Sequence, residues 1–100
     1  MKHRTADLSG RRLDAAVALA CRTAPVSGQP TGQADWRPST DWAQGGPIIE
    51  RERVSVAERE SGEWVALIRG WHEDVEGPTH LIAAMRAFVA SRLGTEIDLP

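Results

Sequence analysis

Arg37-Pro38-Ser39-Thr40-Asp41-Trp42-Ala43-Gln44-Gly45-Gly46-Pro47-Ile48-Ile49-Glu50-Arg51-Glu52 carries more local instruction than any other part of the chain. Pro38 disfavours a helical conformation for Arg37, so the chain enters this stretch extended. Ser39 or Thr40 then caps a short turn through Asp41, Trp42 and Ala43, with Asp41 near its positive end. Gly45 and Gly46 supply the positive φ angles that end the turn and reverse the chain. Pro47 suits the first position of a new helical turn, where its missing N–H is no loss. Ile48 and Ile49 point at least one side chain inward, and Glu50, Arg51 and Glu52 are wet on at least one side. Residues 38–53 therefore read as a turn-rich helical joint between two larger blocks.

Upstream, Ser9 is the expected N-cap of a helix over residues 8–22, with Leu8 and Leu13 stapled across its first turn. Leu13, Ala16, Val17, Ala20 and Cys21 share one face at three- and four-residue spacing. Between that helix and the joint, residues 23–37 hold Pro25, Gly28, Pro30 and Gly32 among polar residues, the composition of a long flexible loop. Downstream, residues 54–69 read as a hairpin around Ser61-Gly62. In the tightest register Val54 and Val56 share a face with Val65 and Leu67. Arg59 then lies beside Trp64 as a cation–π pair, with Ala57, Ala66 and Ile68 on that second face, and something is expected to cover each face. The same register sets Glu60 opposite Glu63, so a four-residue loop is the alternative. Residues 70–78 form an acidic loop around Trp71. Thr79 caps the strongest helix of the chain, residues 79–93, closed by Gly94. Leu81, Ile82, Met85, Phe88 and Val89 make its apolar stripe, from within which Arg92 must snorkel or find a partner. Ala83, Ala87, Ala90 and Ser91 make a face of small side chains, either exposed filler or a place where the first helix approaches closely. Ile97 and Leu99 alternate as a short strand, residues 96–99, expected beside the hairpin. The fold class that follows is α+β: two main helices on a small antiparallel sheet of hairpin and C-terminal strand.

Composition narrows the function classes. One hundred residues make a single domain with one modest core. A net charge of -2 argues against a dedicated nucleic-acid binder. Lys2, Arg4, Arg11, Arg12 and Arg22 do crowd the start, and Glu58, Glu60, Glu63, Glu73, Asp74 and Glu76 crowd the second half. These poles are expected to attract one another or to face water. The single Cys21 excludes an internal disulfide and fits a reducing cytoplasm. Asp14 interrupts the only apolar run near the start, against a signal sequence, and no run approaches a membrane span.

Three groups of residues resemble one family. They are Thr40-Asp41-Trp42 running into Gly45-Gly46-Pro47-Ile48-Ile49-Glu50-Arg51-Glu52; Leu81-Ile82-Ala83-Ala84-Met85-Arg86 with Val89-Ala90-Ser91 and Leu93-Gly94; and Leu8-Ser9-Gly10 with Leu13-Asp14 and Ala16-Val17-Ala18. Together they look like the small NinX-like proteins of phages and bacterial prophages, over nearly the whole chain. Residues 23–37 and the more highly charged hairpin depart from the pattern. The resemblance implies a setting, that of a phage or prophage accessory protein in a bacterial cytoplasm, and transfers no catalytic residue.

No catalytic constellation stands out. Asp41, Glu50 and Glu52 with His72 match no metal-ligand spacing, and His72-Glu73-Asp74 has no second histidine at ligand distance. Gly45-Gly46-Pro47 before a helix start can hold an anion through backbone N–H groups, although proline removes one donor and no phosphate-loop lysine follows. Neither metal nor cofactor is expected. Recognition is preferred over catalysis, with Asp41, Trp42, Gln44, Gly45, Gly46, Glu50 and Arg51 as the candidate binding residues. The expected partner is a host or phage protein; neither nucleic acid nor membrane is, and no homo-oligomer is predicted. Trp42 has two readings, an exposed anchor or a plug in the core beneath the glycine pair, the plug set slightly ahead. The alternative function is a small-ligand, anion or catalytic site at the Asp41–Glu52 joint, in a pocket lined by Asp41, Trp42 and Arg51.

Overall fold

The computed structural model describes residues 2–23, 36–71 and 73–99. Of the sequence expectations, the loop assigned to residues 23–37 falls largely outside the described residues, as does His72. The architecture is α+β. Strand β1 (Lys2–Arg4) leads through a 3-10 turn (Thr5–Asp7) to helix α1 (Gly10–Thr23). Then follow α2 (Trp42–Glu52), β2 (Val54–Glu58), β3 (Trp64–Ile68), β4 (Val75–Gly77), α3 (His80–Leu93) and β5 (Glu96–Asp98).

Helix α3 is the hub. Its start is made by Thr79, extended at φ -134, whose Oγ1 accepts the Ile82 N–H at 3.1 Å. Its end is made by Gly94 at φ 93, a conformation that costs glycine nothing. Between them Leu81, Ala83, Ala84, Met85, Ala87, Phe88, Val89 and Ala90 are all buried. The small residues are therefore not filler: α3 is covered on nearly every side, by α1, by α2 and by the three-stranded sheet. A Cβ placed on Gly77 would stand 2.6 Å from the Ala83 N, so β4 touches the helix backbone where both residues are small. Helix α1 adds the face its spacing foretells, with Leu13, Ala16, Val17, Ala20 and Cys21 buried.

The sheet is antiparallel in the order β2-β3-β4, and it corrects the expected pairing twice. The hairpin pairs Glu58 with Trp64 and Val54 with Ile68. Arg59 N–H reaches the Glu63 carbonyl at 2.7 Å, and Gly62 N–H returns to the Arg59 carbonyl at 2.9 Å. The loop is thus three residues, 60–62, with Gly62 at φ 92. One residue of slip flips every side chain, so Val54 and Val56 share the core face with Ala66 and Ile68. The opposite face is open, and Leu67 is 52% exposed. Arg59 does not stack on Trp64; it pairs with Asp74 at 3.4 Å and Glu76 at 3.3 Å. Glu63 faces Glu76, whose carboxyl raises the Glu63 pKa first by hydrogen bonding and then by repulsion.

The third strand is β4, inside the expected acidic loop, where three residues are too short to show alternation. The C-terminal strand belongs elsewhere: β5 pairs with β1, with Lys2 opposite Asp98 and Arg4 opposite Glu96. Thr5 secures this small sheet. Its N–H donates to the Thr95 carbonyl at 2.8 Å and its hydroxyl to the Gly94 carbonyl at 2.7 Å. Arg86 ties the lead-in down as well, donating to the Leu8 carbonyl at 2.7 Å and the Glu76 carbonyl at 3.0 Å.

Candidate functional site

The expected joint is one helix. Asp41 caps it, with φ -114 and Oδ1 accepting the Ala43 N–H at 2.9 Å, and its other oxygen lies 3.9 Å from Arg37 Nε. Ser39 and Thr40, the expected caps, lie in the turn before it. Gln44 folds back, its Oε1 accepting the Arg37 N–H at 2.6 Å. The chain then runs through Gly45, Gly46 and Pro47 without a break. A proline here leaves the Ala43 carbonyl without its helical donor, a cost of about 3 kcal/mol in a helix interior. Tertiary contact outweighs it. Ile48 is fully buried, and Glu52, held by Arg51 beside it, bonds across to Arg92 of α3.

The two glycines differ. A Cβ on Gly45 would lie 2.4 Å from the Pro38 carbonyl oxygen and 2.7 Å from Leu81 Cδ2. Gly45 is therefore the point where α2, the incoming chain and α3 cross. A Cβ on Gly46 would meet only Trp42 Cε3, at 3.9 Å, an ordinary contact. The reversal that the glycines were expected to supply comes at Arg53 instead, left-handed at φ 55 and ψ 51, with its N–H on the Ile49 carbonyl.

The candidate residues separate along this helix. At its C-terminal end Arg51 Nε binds Glu52 Oε2 at 3.1 Å, and Glu52 Oε1 is paired with Arg92 Nη2. The Arg92 guanidinium also lies 5.8 Å above the Phe88 ring, so Arg92 finds both a partner and a platform. Cys21 of α1 borders this cluster. Burial raises its thiol pKa, Arg51 opposes that shift, and the nearby Glu52 adds to it. Glu50 is exposed. A shallow hollow here is bounded by Pro47, Glu50, Arg51 and Arg53.

Trp42 occupies the other end. It is 55% exposed, so it is not a core plug. Its indole packs on the His80 ring, centroids 4.7 Å apart and planes tilted by 55°. Trp64 packs on the same imidazole at 5.1 Å. A cavity of about 260 Å³ opens beside it, between Ser39, Thr40 and Trp42 on one wall and residues 79–82 on the other. The expected single pocket lined by Asp41, Trp42 and Arg51 does not form, because Arg51 lies nine helical steps beyond Trp42, about 14 Å of rise.

Three residues hold positions here that their local sequence does not foretell. Asp14, 7% exposed, accepts the Ser39 N–H at 2.9 Å, and its carbonyl accepts Trp36 Nε1–H at 3.0 Å. It fastens residues 36–39 to α1 and so sets where α2 begins. Ser39 is 1% exposed with a hydroxyl that has no partner, and His80 Nδ1 is likewise buried without one. No local pattern marks these roles, since each depends on residues far away in sequence. Among the described residues no group of three or more His, Cys, Asp or Glu side chains could hold a metal ion, and no helix is long and apolar enough to cross a membrane.

No curated protein matches the chain. A family model does, that of Bacteriophage P22, NinX, over residues 4–92. The matched span runs from the end of β1 to the last turn of α3 and takes in both walls of the cavity beside Trp42. With 89 of 100 residues inside that match (92 - 4 + 1), the chain belongs to the NinX family of phage proteins.

Proposed function

We propose that this phage protein is a non-enzymatic interaction module, and that its contact surface is centred on Trp42. The observation carrying this reading is an indole more than half exposed yet braced against His80, which Trp64 packs against in turn. A braced exposed tryptophan loses little side-chain freedom on binding, and such anchors dominate protein contacts. The partner is a host or phage protein met in the bacterial cytoplasm. Asp41, Gln44 and Gly45 support the surface from behind: they cap the helix, hold the incoming chain and allow the close crossing.

Two other readings are less well supported. A small-ligand or catalytic site along the joint needs Asp41, Trp42 and Arg51 together, and they lie at opposite ends of α2. Nucleic-acid binding through the basic lead-in must contend with β5, which sets Asp98 and Glu96 opposite Lys2 and Arg4.

Affinity capture from phage-infected cells tests the proposal. A protein retained by the wild-type chain should be lost with Trp42→Ala, while Leu67→Ala, at the other large exposed hydrophobic among the described residues, retains it. Unchanged capture by a folded Trp42→Ala variant would sink the proposal.

A further inference from the structure

Helix α1 starts differently from the other two. The first turns of α2 and α3 are closed by side chains, Asp41 on the Ala43 N–H and Thr79 on the Ile82 N–H. Ser9 stands at the same position before α1, its carbonyl accepting the Leu13 N–H at 3.3 Å, but its hydroxyl bonds no described residue. First-turn N–H groups have no acceptor within their own helix, and the turn is the positive end of a dipole. Arg11 and Arg12 nevertheless occupy it, with no acidic residue beside them. That is the wrong sign of charge for the position.

A hollow of about 320 Å³ lies between this helix start and β1, and Lys2, Arg4, Ser9 and Arg12 line it. All four are exposed, so a ligand reaches them without any rearrangement. Lys2 and Arg4 have Asp98 and Glu96 as strand partners, yet among the described residues none of the three cations has a carboxylate within ion-pair distance. Asp7 is the one carboxylate lining the hollow among the described residues, and it also serves Arg86. Burial lowers the Arg86 pKa, and the Asp7 charge opposes that shift. Three like charges gathered without a counter-charge work against the fold. An anion among them removes that cost.

We propose that this hollow is a site for a dianionic phosphate group, free or as the monoester of a small polar molecule. The cations of Lys2, Arg4 and Arg12 surround the phosphate oxygens, and a guanidinium matches two of those oxygens at once. The Ser9 hydroxyl and the first-turn N–H groups of α1 supply further donors. A carboxylate, with one charge and two oxygens, leaves most of this set unused. A nucleic-acid strand brings one charge per phosphate and, laid across this end of the molecule, meets Glu96 and Asp98 beside the cations. Leu8 is the one apolar wall among the described residues, so the hollow offers little to an apolar body. It shares no lining residue with the cavity beside Trp42 and stands apart from the protein contact proposed there.

The test titrates four probes into the full chain at constant ionic strength: inorganic phosphate, glycerol 3-phosphate, the diester dimethyl phosphate and a short oligothymidylate. The buffer is held more than one pH unit above the second phosphate pKa of about 6, so that the first two are dianions. Binding is followed by NMR at the Ser9, Gly10, Arg11 and Arg12 amides. Inorganic phosphate or glycerol 3-phosphate should shift them saturably and bind about tenfold more tightly than the diester. Whichever of the two binds more tightly identifies the occupant as the free ion or an ester. Arg12→Gln should weaken that binding about tenfold and, without phosphate, melt at the same temperature or higher. Lys2→Gln should weaken it several-fold, and carries the test alone if Arg12→Gln does not fold. Arg69→Gln, at an exposed arginine after β3, should bind as the wild type does. Equal binding of the diester, tighter binding of the oligothymidylate, or shifts that fail to saturate or lie on another surface would overturn the proposal. So would folded Arg12→Gln and Lys2→Gln variants that bind as before. None of these results touches the capture experiment with Trp42→Ala, so the two ideas fail separately.

Discussion

The two ends of α2 treat their large side chains in opposite ways. At the C-terminal end Arg51 and Glu52 turn inward, and with Arg92 and Cys21 they join three helices. At the N-terminal end Trp42, far better suited to a core, turns outward beside buried polar atoms that bond nothing. The C-terminal end folds its large side chains inward, although Arg51 Nη2 is buried there without a partner, whereas the N-terminal end leaves its largest side chain in water. Unsatisfied groups and exposed apolar surface at a single place are what binding sites retain at the expense of the fold.

That contrast breaks most sharply at Gly45. Gly45→Ala drives a methyl into the Pro38 carbonyl and Leu81, and should destabilise by about 3 kcal/mol in urea unfolding. Its neighbour should go the other way. Gly46→Ala meets only ordinary contact and should stabilise the helix by about 0.5 kcal/mol. Equal effects at the two glycines would mean that the crossing at Gly45 is misplaced.

Glu52→Ala comes next. It leaves Arg51 and Arg92 without their shared carboxylate in a place where the Glu52 side chain is 11% exposed. Loss of a fully buried pair costs about 3–5 kcal/mol; since the Arg92 side chain keeps 35% of its exposure, about 2 kcal/mol is expected. Arg53→Gly is smaller and opposite in sign. Relief of a left-handed non-glycine residue should raise stability by about 0.5–1 kcal/mol. Smallest of all is the stability change at the other end: Trp42→Ala should cost less than about 1 kcal/mol, because so much of the indole is already in water. A large loss there would make Trp42 a structural residue and erase the contrast.

The sequence made some of this legible and not the rest, for identifiable reasons. Helices α1 and α3 declare themselves through three- and four-residue spacing, and α3 also through Thr79 and Gly94, all local signals. Gly45, Gly46 and Pro47 are local breakers and hide the continuity of α2, whereas what holds it together is contact with Leu81, Arg92 and Cys21 from elsewhere in the chain. The hairpin register turned on one extra loop residue between Arg59 and Glu63. The pairing of β1 with β5 joins residues almost the whole chain apart and leaves no mark on either strand. At the site, Asp41 as a helix cap was close to what a local reading expects. The exposure of Trp42 and the roles of Ser39, His80 and Asp14 were not legible, because each is decided by which segment comes to lie beside it.

The central claim, that the Trp42 end of α2 is where this protein meets a partner, is tested most directly by site-specific photocrosslinking in phage-infected cells. A benzophenone amino acid is placed at position 42 in one variant and at position 67, on the open sheet face, in another. The account predicts a discrete adduct from position 42 and none from position 67. Adducts of equal yield from both positions, or none from position 42 in a folded protein, would contradict it.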